Sequence, residues 1–258
     1  MNELLAKLTN LGYELFGVLI PGLIALLFIL IWWNALGALA PLWTSDVVPE
    51  LTVATARSIV DSFNVASGIG VAIPAFAICY FAGHILLWIS RSGGASKSAC
   101  SVGWKRISLS LVFRIPKPEA SFSTKLQRLY DKVQAKFAPD GIPLEWREFY
   151  PVVKSFLSQH VINSLVPTYQ NKYTLHRSIT TASALLFWLC IVSLIGAWRS
   201  NASVPPLNYG MLVGLALGAI FLVWGFSSSY IYHWEMFGNT VITESYCRIF
   251  GPQYESKK

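Results

Sequence analysis

The sequence predicts an all-α membrane protein with four transmembrane helices and a mainly helical cytoplasmic insert between helices 2 and 3. Three observations predict it. Apolar residues make up 54% of the chain and charged residues 13%, about half the charged share of an ordinary soluble domain. Four apolar stretches match or exceed the roughly 20 helical residues that cross a hydrocarbon core about 30 Å thick. Basic residues, finally, are concentrated in the segment between the second and third of these stretches.

The first stretch is Leu11–Trp33, LGYELFGVLIPGLIALLFILIWW. Ala38-Leu-Ala40 downstream resembles the small-residue site of a secretory leader. The stretch is longer than a leader's apolar region, Glu14 and Pro21 interrupt it, and Pro41 follows the would-be cut, so it reads as a transmembrane helix. The second is Val65–Trp88, the third Ile179–Trp198 and the fourth Tyr209–Tyr232. Each carries Trp or Tyr near at least one end, where amphipathic rings favour the headgroup layer. The expected division is 1–90 for helices 1 and 2 with an extracytoplasmic loop over 34–64, 91–178 for a basic cytoplasmic domain, 179–233 for helices 3 and 4, and 234–258 for a cytoplasmic tail.

Charge sets the orientation. Ile89–Ser178 holds fourteen Lys/Arg and five Asp/Glu, a formal +9 that exceeds the +7 of the whole chain. Arg91, Lys97, Lys105 and Arg106 follow the second stretch, and Lys172 and Arg177 precede the third. Cations flanking spans mark the cytoplasmic side, so both termini and the insert are expected in the cytoplasm, with the chain in an inner (plasma) membrane. The peptide SRSGGASKS at Ser90–Ser98 lacks both glycines of a Walker-type phosphate loop. It reads instead as a membrane exit, with Arg91, Lys97, Lys105 and Arg106 at anionic lipid headgroups.

Within the insert, Trp104–Ile115 (WKRISLSLVFRI) alternates in part and suggests a short strand or hairpin. From Ser121, the spacing of Phe122, Leu126, Leu129, Val133 and Phe137 predicts a helix with one apolar face, packed on a neighbour or lying on the membrane surface. Pro139–Pro143 breaks the chain, and Leu144–Val166 reads as a helix or two, jointed at Pro151 and halted before Pro167. From Thr168 to Trp198 one continuous helix would be about 46 Å long and project from the bilayer, coupling insert to membrane rigidly. The tail continues amphipathically, with Trp234, Phe237, Tyr246 and Phe250 expected against the insert.

Chemistry-bearing motifs are sparse. His84, His160, His176 and His233 form no metal-binding spacing, and Cys79, Cys100, Cys190 and Cys247 form no Cys-x-x-Cys. No catalytic residue, metal or cofactor is expected, and the chain reads as a non-enzyme. Glu14, His84, His233, Glu235 and Arg177 all fall near cytoplasmic ends of spans, where charge is costly unless paired or wet. They suggest an intramembrane polar cluster, with Glu14 facing a histidine or Arg177, or else single side chains that snorkel to the headgroups. Gly210, Gly214 and Gly218 recur every four residues and clear one helix face for close approach, in the same chain or between protomers. Pro21 and Pro74 fall inside spans, where they bend the helix or leave a carbonyl free.

In layout, and in pieces such as FGVLIPGLIALL, YFAGHILLWISR, YQNKYTLHRSIT and YHWEMFGNTVITESY, the chain resembles small four-span membrane components of bacterial anti-phage defence systems. The resemblance implies a homo-oligomer in contact with membrane lipids and a cytoplasmic partner protein, acting as a sensor or as a membrane-perturbing effector. It transfers no site residue. The alternative is a small channel or transporter with a polar gate near Glu14, His84 and His233. For the basic insert, attraction to the membrane is a simpler explanation than nucleic acid.

Overall fold

The computed structural model describes residues 11–37, 69–92, 103–115, 124–138, 141–161, 164–199 and 206–251. The expected 34–64 loop lies largely outside them, as do Lys97, Cys100, Phe122 and the end of the tail. Every described element is helical. They are α1, a π-turn over Leu15–Leu19 running into Ile20–Gly37; α2, Ile69–Ser92; α3, Gly103–Leu111; α4, Thr124–Phe137; α5, Trp146–His160; α6, Val166–Arg199; and α7, Pro206–Phe250. Three helical stretches are long and apolar enough to cross a membrane: Leu11–Trp33, Val166–Arg199 and Tyr209–Phe250. The second expected stretch forms helix α2, and its described apolar part, Pro74–Ser90, is shorter than these three.

The π-turn has a local cause. Pro21 brings no N–H to the carbonyl four residues back and its ring crowds that turn, and the helix widens over the five residues just before it. In α2 the helix passes through Pro74 without a break. Gly22 and Gly83 let these two helices cross at backbone contact. A methyl group on Gly22 would run into the Cys79 carbonyl, and one on Gly83 into the Val18 carbonyl. Val18 is fully buried at this crossing.

Around that pair, α6 and α7 form the backbone of the bundle. Ala25, Leu86 and Ala182 join α1, α2 and α6, while Ala35, Leu186, Cys190, Leu212, Ala216 and Ala219 join α1, α6 and α7. Small residues at these contacts bring the helices close where hydrophobic driving force is weak. Trp32 adds a polar tie, its Nε1 donating to Ser193 Oγ at 3.0 Å.

Segment 104–115 is helical up to Leu111 and then turns, in place of the expected strand or hairpin. Ile107 and Leu111 lie one turn apart and pack with Ala184 of α6 and Val223 of α7. That spacing wins over the partial alternation because it presents one apolar face to an existing groove. The helix ends in a Schellman-type closure: Phe113 N–H donates to Ser110 O and Arg114 N–H to Leu109 O. Phe113 takes the left-handed conformation there, φ 60°, in place of the usual glycine. α3 therefore lies beside the apolar stretches of α6 and α7, and Trp188 Nε1 donates to Leu111 O at 2.8 Å.

The remaining insert helices occupy the other end. Val133, Phe149, Val153, Leu157, Val166, Phe237 and Val241 form a second core from α4, α5, α6 and α7. Rings meet edge-to-face through it: Phe149 lies 4.9 Å from Tyr130 between centroids, and Phe237 lies 4.9 Å from Tyr150 and 5.2 Å from Tyr173. Helix α4 covers the predicted periodicity from Leu126 to Phe137. α5 is one helix, with Pro151 accommodated inside it and no joint. Its start is fixed by Glu148, whose Oε2 accepts from the Glu145 N–H at 3.2 Å. Helix α6 begins at Val166, one residue before Pro167, which sits in the first turn where its missing N–H costs nothing.

Candidate functional site

The junction between the apolar stretches and the aromatic core is where the structure gathers its polar chemistry. Helix α6 has 34 residues, about 51 Å, and α7 has 45, about 68 Å. Both run past the apolar stretches Ile179–Trp198 and Tyr209–Tyr232 and into the aromatic core, so each is continuous through the junction. The far end of α7 also ties down the start of α6. Glu244 Oε1 accepts from the Leu165 N–H at 2.8 Å and its Oε2 from Ser164 Oγ at 2.6 Å. A carboxylate at a helix N-terminus meets both free N–H groups and the positive end of the dipole.

Where α6 and α7 leave the apolar stretches, His176 and His233 stack face to face, centroids 4.9 Å apart and planes 9° apart. Tyr169 approaches His233 at 6.2 Å and Phe226 approaches His176 at 5.6 Å. The Nδ1 atoms of both histidines, Arg177 Nε and the hydroxyl of fully buried Ser178 are buried without hydrogen-bond partners among the described residues. Around them on α6, Thr180, Thr181 and Ser183 return their hydroxyls to carbonyls one turn back. This pattern satisfies polar groups inside an apolar bundle without a partner helix.

On the α5 side, Gln170 Oε1 accepts two donors, Tyr150 Oη at 3.1 Å and Lys154 Nζ at 2.8 Å. Burial lowers the Lys154 ammonium from its ordinary value and pushes the Tyr150 hydroxyl up. Both shifts follow from removing a charged form from water.

The expected five-residue cluster divides into separate groups. Glu14 accepts a hydrogen bond from Tyr80 Oη at 2.9 Å, and His84 meets the Tyr80 ring edge-on at 4.5 Å. Tyr80 of α2 is thus the partner of Glu14, in place of the expected histidine or Arg177. His233 belongs with His176 across the α6–α7 seam, and Arg177 sits one residue on from His176 on α6. Glu235 is exposed on α7. Among the described residues no three His, Cys, Asp or Glu side chains converge as metal ligands would.

Gly210, Gly214 and Gly218 are exposed on α7, and nothing lies within 4 Å of a methyl group built on any of them. Gly225, seven residues beyond Gly218, continues the same open edge. The close internal contacts come from Gly22 and Gly83 instead, which no repeated spacing marks. Of the four residues expected at lipid headgroups, Lys105 and Arg106 lie on α3. Arg91 lies in the last turn of α2, where only its backbone is described, and Lys97 falls outside the described residues. Arg106 Nη2 donates to Ser228 Oγ of α7 at 2.8 Å. No protein-family model, curated protein or solved structure matches this chain.

Proposed function

We propose that this chain is an oligomeric inner-membrane sensor or membrane-perturbing effector of the phage-defence kind, signalling through its cytoplasmic insert to a partner protein. The observation that carries this reading is the continuity of α6 and α7 from their apolar stretches into the aromatic core around Phe149 and Phe237. A helix transmits rotation or translation along its length, and close-packed cores shift between discrete arrangements instead of deforming smoothly. Displacement of a span would therefore reach α4 and α5 directly. In this reading α2 is the fourth span, both termini and the insert from α4 onward face the cytoplasm in keeping with the flanking cations, α3 lies against the spans, and lipids surround the bundle. The open glycine edge of α7 supplies the contact for another copy. No catalytic step is invoked. A channel with one polar gate has less support, because Glu14 and His84 meet at Tyr80 whereas His233 stacks on His176.

Insertion of two glycines after His233 tests the coupling. Cells expressing the full chain with its genomic neighbours are challenged with phage, and membrane potential is followed with a voltage-sensitive dye. The expected result is loss of protection and of depolarisation in a variant that still inserts and assembles. A wild-type response from that variant would rule out rigid coupling through α7.

A further inference from the structure

We propose that the groove between α3 and α7 is a binding site for one anionic phospholipid, with an acyl chain in the groove and the phosphate on the Arg106 guanidinium. This rests on α7 crossing a bilayer and is independent of any signalling role. Trp104 and Ile107 of α3 and Leu217, Ile220, Phe221 and Trp224 of α7 line a cavity of about 410 Å³, within the size range of small-molecule pockets. Trp104, Leu217 and Phe221 are 76%, 63% and 65% exposed, so the groove is open along its outer side. An open, mainly apolar concavity on the outside of a membrane-length helix faces hydrocarbon, and chains of lipid fill it.

The charge at one end selects among lipids. Leu217, Phe221, Trp224 and Ser228 follow one another at spacings of four, three and four, which places Ser228 on the same face of α7, one turn past the groove. Arg106 Nη2 donates to Ser228 Oγ at 2.8 Å, and Ser228 Oγ donates to Trp224 O at 2.8 Å, so the guanidinium is strutted at the groove's end. Its Nε is buried and has no hydrogen-bond partner among the described residues. Ser228 stands four residues inside the Tyr209–Tyr232 stretch, about 6 Å along the axis. A cation held that far in is costly unless an anion meets it. A lipid phosphate reaches that depth, and the planar guanidinium offers it two parallel donors.

The test uses the full-length protein in detergent, with retained lipid counted by native mass spectrometry. Phosphatidylglycerol and phosphatidylcholine with identical acyl chains are supplied in equal amounts. Wild type should retain phosphatidylglycerol over phosphatidylcholine by about fivefold, the ratio expected from one cation beside an anionic headgroup. Arg106→Gln should bring that ratio to about one, and Leu217→Trp, which fills the groove, should lower retention of both lipids. If Arg106→Gln does not fold, Ser228→Ala removes the strut alone and should still reduce the ratio. Equal retention by wild type, or a preference that survives both Arg106→Gln and Ser228→Ala, would overturn the proposal.

Discussion

Gly83→Ala separates the two kinds of glycine in this chain. The added methyl group would meet the Val18 carbonyl, a backbone oxygen fixed in α1, so no side-chain rotation relieves the clash. The two helices must move apart or twist, and the facing contact at Gly22 on the Cys79 carbonyl opens with them. Overpacking of a tight core costs about 1–3 kcal/mol, and the backbone partner puts this site near the middle or top of that range. At about 2 kcal/mol and roughly 2–4 °C per kcal/mol for a chain of this size, the midpoint falls by about 4–8 °C. Gly210→Ala is the control. Nothing stands within 4 Å of its added methyl group, and alanine is the better helix former by about 1 kcal/mol. Detergent-solubilised protein, followed by loss of the monodisperse chromatographic peak on heating, reads both variants. An unchanged midpoint for Gly83→Ala would refute the α1–α2 crossing described above.

Other predictions concern the insert. Phe149→Ala removes a fully buried ring that contacts Tyr130, Phe137 and Trp146, and should cost about 3–5 kcal/mol, detected as faster proteolysis within 124–160. Gln170→Ala leaves the Tyr150 hydroxyl and the Lys154 ammonium without their shared acceptor, which should cost about 1–3 kcal/mol and lower the thermal midpoint. Lys154 has its folded-state pKa below the unfolded one, so its ammonium weakens the fold wherever both states are protonated. That penalty is relieved as pH rises through the lowered value towards 10.5. Wild type should therefore gain on Lys154→Met as pH climbs from neutral in melting experiments, and a constant difference would contradict the assignment. Tyr150 adds no slope below its ordinary 10.0, since its shift is upward.

Much of this architecture was legible from local pattern. Apolar length alone marks the three membrane-length helices, and the spacing of Leu126, Val133 and Phe137 marks α4. The helical reading of the tail follows from the same periodicity, carried by α7 to Phe250. The missed features depend on pairing between distant segments. Partial alternation in WKRISLSLVFRI suggested a strand, whereas Ile107 and Leu111 satisfy a helix once α6 and α7 offer a groove, and Phe113 closes it without the glycine that would have announced a helix end. Tyr80 and Glu14 lie 66 positions apart, and only the crossing of α1 and α2 brings them together. His176 and His233 lie 57 positions apart, and only the antiparallel contact of α6 and α7 stacks them. Gly22 and Gly83 carry a backbone-tight helix contact although neither belongs to a repeat, while the repeated Gly210, Gly214 and Gly218 face outward.

That outward edge bears most directly on the proposed oligomer. The decisive measurement is the mass of the nanodisc-embedded particle, taken for wild type and for Gly214→Leu. A Cβ at Gly214 meets nothing within 4 Å in one chain, so the variant should leave the protomer folded while its longer side chain blocks close approach by another copy. A defined homo-oligomer that falls to monomer in the variant is the expected result. A monomeric wild type, or an oligomer indifferent to Gly214→Leu, would contradict assembly through the glycine edge.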